Sequence, residues 1–493
     1  MGLFDYLAKK RGYVKPAPKK RSFTAAQVSR LTSSWETMPK PVDYDIKSGL
    51  RVLRARSREE VKNNDYVRGF IRTVKNNVVG HQGIALRGRV INPRGGALDK
   101  EANKGIEEAW KEWGRYGSPD VSGQHSWKSI QRMFIESIAT DGEVLIRKHL
   151  IDGQLKLEFL DPELLDQDLN INNASGLSVK MGVELDGFRK PIAYYILQSS
   201  SGDYDYQVNG KQYMRIPADN IYHIYLHDFV FQTRGIPWIT SALLRLNMLN
   251  GYEEAELVAA RTAAAKMGFF EQDSESMGDY STGETDENGN LISDAEAGAM
   301  EILPAGYKFT AFDPQHPTTA FSAFVKSILR GIASGLGVSY NTLANDLEGV
   351  NYSSLRQGAL EERGLWMALQ DWMIETFCDR VYRDWLPSAL LNGIQLPTGG
   401  TLRNTDIDRY KRIGWQARRW QWVDPLKEMS AHEKGVSLGV KSRSEIIRDQ
   451  GRDPEEVWEE IAQEQERLEE LGIQTEPASA GFFMGEPNEE DSE

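Results

Sequence analysis

The sequence predicts an α+β protein organised around long helices. Three observations carry that expectation. Between residues 142 and 230, the short apolar runs EVLIRKHL, LKLEFL, VKMGVEL, PIAYYILQ and IYHIYLHDF are separated by D-G, N-N and N-G turn signals. On both sides of that region, apolar residues recur at three- and four-residue steps over long stretches. The length, 493 residues, exceeds what one simple core organises, so several structural units are expected.

Taken in order, residues 1–40 read as a basic N-terminal arm, partly disordered. Lys9, Lys10, Arg11, Lys15, Lys19, Lys20 and Arg21 alternate there with Pro16 and Pro18. Ser57 and Glu60 have the spacing of a capping box that opens a short helix. A second helix runs from about Asp65 to Gly80, with Val67, Phe70, Ile71, Val74 and Val78 on one face. A third, about 99–116, carries Trp110 and Trp113. The β-type runs follow.

Pro237 then stands where a helix can begin. Up to about Lys266 only Gly251 interrupts it, giving a rod of roughly 40 Å at the α-helical rise. Residues 271–296 hold nine acidic residues and no basic one, an acidic excursion. The stretch 300-MEILPAGYKFTAF-312 reads as strand. A second rod, TTAFSAFVKSILRGIASGLGV, aligns Phe321, Phe324, Ile328 and Ile332, with Lys326 and Arg330 on another face. The acidic, Gly-containing segment 344-ANDLEGVNYSSLR-356 interrupts the helical pattern, which resumes from about Ser353 to Trp385. Asp424-Pro425 and Asp453-Pro454 each set an N-cap before a first-turn proline, so short helices occupy 425–471. Residues 472–493 read as a disordered acidic tail.

Composition narrows the class. Hydrophobic content of 40% and charge of 27% suit a globular chain. The single Cys378 excludes an intrachain disulfide framework and any multi-thiolate metal site. No apolar run reaches the roughly 20 residues of a membrane span. The N-terminus lacks a signal-peptide core, and Tyr6 stands where a myristoylation signal wants Ser or Thr. A cytoplasmic chain with no membrane partner is expected. The net charge of −13 is uneven: residues 1–75 balance to +11 and residues 442–493 to −13. Tight DNA binders are usually basic, so any DNA handled here is not held hard.

Catalytic motifs are weak. His223 and His227 have the spacing of a helical metal pair but sit in a strand-like run, where they stand roughly 13 Å apart. Asp141 and Glu143, with Lys148 downstream, resemble half of a metal-dependent nuclease site with the wrong spacing. Asp161, Glu163, Asp166 and Asp168 read as a solvated loop. There is no P-loop and no G-x-S-x-G elbow. Arg51, Arg54, Arg56 and Arg58 form the densest basic patch of the folded region. Phosphate contact, pairing with a neighbouring subunit and a solvated helix face stand as comparable readings of it.

The motifs, taken together and in order, resemble the lambda-type portal proteins of tailed bacteriophages, from about residue 50 to about 460. They are R-x-x-x-V-K-N-N-D-Y-V-R and NNVVGHQGI, A-W-x-x-W, DGEVLIR, QTRGIPW, the Tyr-centred helix with Glu253, Glu254 and Glu256, ASGLGVSYNTLANDLEGVNYSSLR, WVDPLKE and G-R-D-P. The resemblance implies the phage portal fold: a ring-forming subunit with an α+β wing (41–235), a helical stem (236–267 and 318–337) and a clip (268–317). It further implies a tunnel loop (338–352), a long wing helix and connection (353–423) and a C-terminal helical crown (424–471). It implies a probable dodecamer at one capsid vertex, a channel for double-stranded DNA in packaging and ejection, and no catalysis or cofactor. Implied partners are the terminase large subunit, the major capsid and scaffold proteins, and neck or adaptor proteins. Location follows as the virion, with host cytoplasm during assembly. In that frame Asn345, Asp346, Leu347 and Glu348 would form the tip nearest DNA. Lys326 and Arg330 would line the channel wall, and Glu271, Asp273, Glu275 and Asp279 would lie on the clip's docking face. The competing readings are a metal-dependent DNA-processing enzyme and a monomeric capsid adaptor.

Overall fold

A computed structural model describes residues 26, 30, 32–93, 95–172, 178–198, 212–264, 268–272, 307–311, 321–349, 351–420 and 425–472. Most of the expected arm, and the tail beyond residue 472, lie outside the described residues.

The first helix, α1 (Val42–Asn63), is longer than expected. Ser57 does not cap a new helix. It is buried in the middle of α1, and its hydroxyl donates to the Thr140 carbonyl at 2.5 Å. Asp43 and Asp45 in the first turn favour the helix dipole. Asn64 closes α1 and caps α2 (Asp65–Val78), accepting from the Val67 amide at 3.1 Å. The predicted apolar face of α2 is the buried one: Val67, Phe70, Ile71, Val74 and Val78. A short strand β1 (Ala85–Gly88) precedes α3 (Lys100–Trp113). Helix α4 (Trp127–Asp141) was not anticipated. Ser126 caps it, and Gly142 ends it in the left-handed region at φ 86°.

The β region is two antiparallel sheets. Strands β2 (Glu143–Ile151), β3 (Gln154–Leu160) and β9 (Ile221–Tyr225) form one, in the order β3-β2-β9. The other orders β4 (Ile171–Asn172), β5 (Ser178–Lys180), β6 (Val183–Leu185), β7 (Pro191–Leu197) and β8 (Tyr213–Pro217) consecutively. The run VKMGVEL is two strands, because Met181 and Gly182 turn the chain at φ 48° and 81°.

The first rod begins as a tight 3-10 turn, Trp238–Ser241, not as α-helix. Helix α5 (Leu243–Ala264) follows. Strands β10 (Gly268–Gln272) and β11 (Tyr307–Ala311) form an antiparallel ribbon that joins α5 to α6 (Phe321–Leu336). After α7 (Tyr340–Ala344), helix α8 (Tyr352–Met373) continues through a π turn, Ile374–Cys378, into α9 (Asp379–Asn392). The buried residues Leu369, Met373, Phe377, Val381 and Trp385 step by four, which overshoots a 3.6-residue turn. The wide turn absorbs that drift, so all five stay buried on one side. Helix α10 (Ile407–Tyr410) and strand β12 (Ile413–Gln416), which pairs with β1, complete the main body. Three largely exposed helices follow: α11 (Pro425–Ser437), α12 (Arg443–Asp449) and α13 (Pro454–Glu470). Asp453 caps α13 as read from the sequence, accepting from the Glu455 amide at 2.9 Å.

The core joins distant segments through aromatics. Trp110 lies 4.6 Å from Trp113, 5.3 Å from Trp127 and 5.0 Å from Trp385, centroid to centroid. These contacts lock α3, α4 and α9 together. Trp110→Ala is expected to lower stability by about 3–5 kcal/mol, measured by urea unfolding.

A buried charge hub and a clasped loop

The residues that looked like half of a nuclease site form the structural centre of the α+β region. Glu143 opens β2 and is fully buried. Its Oε1 accepts from Arg54 Nη2 at 2.7 Å and from Arg234 Nη2 at 2.5 Å. Its Oε2 accepts from the Gly235 amide at 2.8 Å and contacts His223 Nε2 at 3.0 Å. An ionised carboxylate only accepts, so His223 carries its proton on Nε2 and donates. With both oxygens taken, no lone pair is left to hold a metal.

The two arginines are satisfied in turn. Arg54 Nε donates to the Asp141 carbonyl at 3.0 Å, and its Nη1 meets Glu163 Oε1 at 3.1 Å. Arg234 Nη1 donates to the carbonyls of Leu165 and Met181 at 2.7 and 2.9 Å. Two guanidinium charges thus meet two carboxylates, which is the condition under which buried charge is tolerated. The site is reached by close backbone contact: a Cβ on Gly142 would sit 2.3 Å from the Ile236 carbonyl carbon.

Burial alone would raise the Glu143 carboxyl, but Arg234, Arg54 and His223 hold it well below the usual range. Burial lowers His223 in spite of Glu143, so its ring is neutral at pH 7. Burial raises Asp141 against the pull of Arg58.

Three arginines of the basic patch form intramolecular pairs, and Arg56 is exposed. Arg58 binds Asp141 at 2.6 Å and Asp161 at 2.7 Å. Arg51 reaches Asp168 at 3.0 Å and Asp166 at 3.6 Å. Arg54 belongs to the hub. The loop 161–168 is therefore not a merely solvated acidic loop; it is the counter-surface of α1. Lys148 pairs with Asp384 at 2.7 Å. His227 lies beyond the end of β9, stacked on Tyr225 at 4.4 Å. Among the described residues, no three His, Cys, Asp or Glu side chains converge as a metal site. Arg234 and Gly235 carry no chemical motif that single-sequence reading detects.

The second candidate site is the interruption between α6 and α8. Asn345 ends α7 in the left-handed region at φ 51°. The chain then turns back so that Asp346 meets three groups. Its Oδ2 accepts from the Tyr340 hydroxyl at 2.7 Å and from Lys326 Nζ at 3.1 Å, and its Oδ1 accepts from the Glu348 amide at 2.9 Å. Lys326 also stands 3.5 Å from Glu348 Oε2. The Tyr340 hydroxyl, the Glu348 amide and Lys326 bring the Asp346 carboxyl down to about 2, so it stays ionised. Glu362 anchors the base of the loop through the Ser339 amide at 2.6 Å and the Thr342 hydroxyl at 2.8 Å. Leu347 and Glu348 form the exposed apex. Arg330 lies on α6 with its guanidinium 5.5 Å from the Tyr340 ring centroid. The structure therefore gathers Asp346, Glu348, Lys326 and Arg330 at one place, an association the sequence reading did not make.

Of the expected docking residues, Glu271 lies in β10, in register with Lys308 of β11. Asp273, Glu275 and Asp279 lie outside the described residues.

A buried carboxylate whose oxygens are taken by two arginines, a histidine and a backbone amide is a structural centre of the subunit. The chain belongs to the lambda family of phage portal proteins: the family model "Phage portal protein, lambda family" matches residues 28–370. It is 35% identical over 486 residues to a probable portal protein of Halomonas phage phiHAP-1, covering 96% of this chain and 92% of the relative. It is 20% identical to Portal protein B of Escherichia phage lambda, covering 91% of this chain and 90% of the relative. A solved chain from the neck of an empty GTA particle overlaps 82% of this chain and 95% of its own, at 14% identity and a TM-score of 0.44. Membership makes the chain a ring subunit at a capsid vertex, through which DNA passes.

His223 sets the pH dependence of the hub. Its folded pKa lies below the ordinary value near 6.5, so between the two values the unfolded chain binds more protons. Stability therefore falls as pH drops through that window. Glu143 adds its own loss at lower pH, as its depressed folded value is approached. His223→Gln is expected to flatten the unfolding midpoint between about pH 7 and 5. Glu143→Gln is expected to cost about 3–5 kcal/mol at pH 7 by chemical denaturation, because two buried guanidinium groups lose their shared partner.

Proposed function

We propose that the loop 338–352 is the tunnel loop of the portal and that its apex, Leu347 and Glu348, is what passing DNA meets. Residues 236–267 and 318–337 are the stem, 268–317 the clip, 41–235 the wing, with 353–423 continuing it, and 424–471 the crown. The observation that carries the reading is the position of the loop. It lies between α6 and α8, whereas the β10–β11 ribbon lies between α5 and α6 in the chain. The family match to residue 370 spans both.

The clasp gives the loop a defined electrostatic character. Asp346 is offset by Lys326, so Glu348 is the carboxylate left most open at the tip. One exposed carboxylate beside a leucine repels phosphate weakly and offers no counterion-releasing contact. DNA is centred without being gripped at each step. Arg330 reaches the wall with its guanidinium, held over the Tyr340 ring.

Finer assignments complete the proposal. The ring has twelve copies in the particle. The clip, with Glu271, Asp273, Glu275 and Asp279, docks the terminase large subunit during packaging and neck or adaptor proteins afterwards. The wing meets the major capsid and scaffold proteins. Assembly occurs in the host cytoplasm and ends at one capsid vertex.

Deleting residues 344–350 is expected to leave the ring mass unchanged by light scattering and its central hole visible in negative stain. Packaged DNA length or retention should fall in particles built with the deletion; normal length and retention would defeat the tunnel-loop assignment. Lys326→Met is expected to leave the ring intact and to speed protease cleavage within 345–349.

A further inference from the structure

Helix α5 has two apolar faces. Leu243, Leu246 and Leu249 are buried in the main core. A second stripe, Leu244, Met248, Gly251, Ala255 and Val258, alternates four- and three-residue steps, and every member is exposed. Leu244 is 71% exposed, Met248 65% and Val258 55%. That alternation is the spacing of a helix–helix seam. A helix with one partner needs one apolar face.

Helix α6 shows an outward stripe with the same alternation: Ala323, Ser327, Arg330 and Ser334, all exposed and small except for Arg330. Its neighbouring face is already occupied within the chain. Phe321 and Phe324 lie 5.7 and 5.0 Å from Tyr252 of α5, and a Cβ on Gly335 would meet Ser241 Oγ at 3.0 Å. These contacts also fix the levels of the two helices. They run antiparallel, with Tyr252 level with Phe321–Phe324 and Ser241 level with Gly335. Counting inward from both anchors places Met248 level with Ser327.

We propose that the α5 stripe of one copy docks on the α6 stripe of the next copy, with Met248 seated against Ser327. Rotation about a ring axis keeps each residue at its height, so for helices that run along that axis the level found within the chain applies between chains. The occupant is a second copy because the two stripes are unlike but complementary. One presents the large apolar knobs Leu244, Met248 and Val258 and the other mostly small side chains, at equal spacing. A head-to-tail contact between identical subunits requires two such different surfaces. Arg330 adds an aliphatic stem level with Leu244. The proposal rests on the ring reading and adds its seam and register.

Disulfide trapping tests it, because the chain's own thiol, Cys378, is fully buried. Two differently tagged chains, one M248C and one S327C, are co-expressed, and their assembled rings are oxidised. A mixed dimer carrying both tags is expected, and the double variant M248C/S327C should give a ladder up to the whole ring. L257C paired with S327C is the control and should not cross-link, since Leu257 lies off the stripe. Met248→Asp should reduce assembly at least tenfold in the concentration required, with the monomer's unfolding midpoint unchanged. Rings of full mass with no mixed dimer, or a double variant closed only within single chains, would overturn the seam and leave the ring standing. Failure to form any ring would remove both.

Discussion

Glu143 is the constraint on which the α+β region depends. One carboxylate, taken out of water at the first residue of β2, holds α1 through Arg54, the segment before α5 through Arg234 and Gly235, and β9 through His223. Each partner has a cost if released, because a buried guanidinium without an acceptor is far less tolerable than a buried methyl group. The arrangement ties the segment that leads into α5 to the sheet that precedes it. The 3-10 turn at Trp238–Ser241 can then launch α5 in one direction only, since Pro237 and the close approach of Gly142 to Ile236 leave no slack.

The loop between α6 and α8 is held by a different kind of contact. Its ion pairs are partly exposed and so individually weak. Its shape comes from several small restraints acting together: a left-handed Asn345, the Tyr340 hydroxyl, the Lys326 ammonium and Glu362 at the base. Such a loop keeps its position on average and yields under load. The hub is held by buried contacts that cannot be given up singly, whereas the loop is held by contacts that can be exchanged one at a time.

Much of this was legible in the sequence, and the reason differs by element. The strands around 143–151, 154–160, 191–197 and 221–225 announce themselves by β-type runs between turn signals, and α2 by its apolar face. Helix α4 also had its signal, with Ser126 as cap and Ile130, Phe134, Ile135 and Ile138 in step ahead of the D-G turn. The length of α1 was hidden because Ser57 looks like a cap whenever its buried partner, the Thr140 carbonyl, is unknown. The segments that build the hub, DGEVLIR and QTRGIPW, stood out as family motifs, but their pairing was not legible. Glu143 finds Arg54 and Arg234 at separations of 89 and 91 residues, and no local pattern encodes a pairing at that range. The same holds for Lys326 and Asp346, which meet only because α6 and α7 fold back on one another. The break in the helical pattern at 344–356 marked a loop in the sequence; the contacts that hold it came from the fold.

Unlike stripes on α5 and α6 have a consequence for how many copies assemble. A surface that mates with itself is satisfied at two. A pair of non-identical surfaces leaves one open at each end of every incomplete arc, so growth stops only when the last copy meets the first. The number at closure is then set by an angle, the rotation from one stripe to the other, which would be about 30° for twelve copies. A substitution that repacks this seam without weakening it would alter arithmetic before it altered affinity: the subunits would still join, and they would count to a different number.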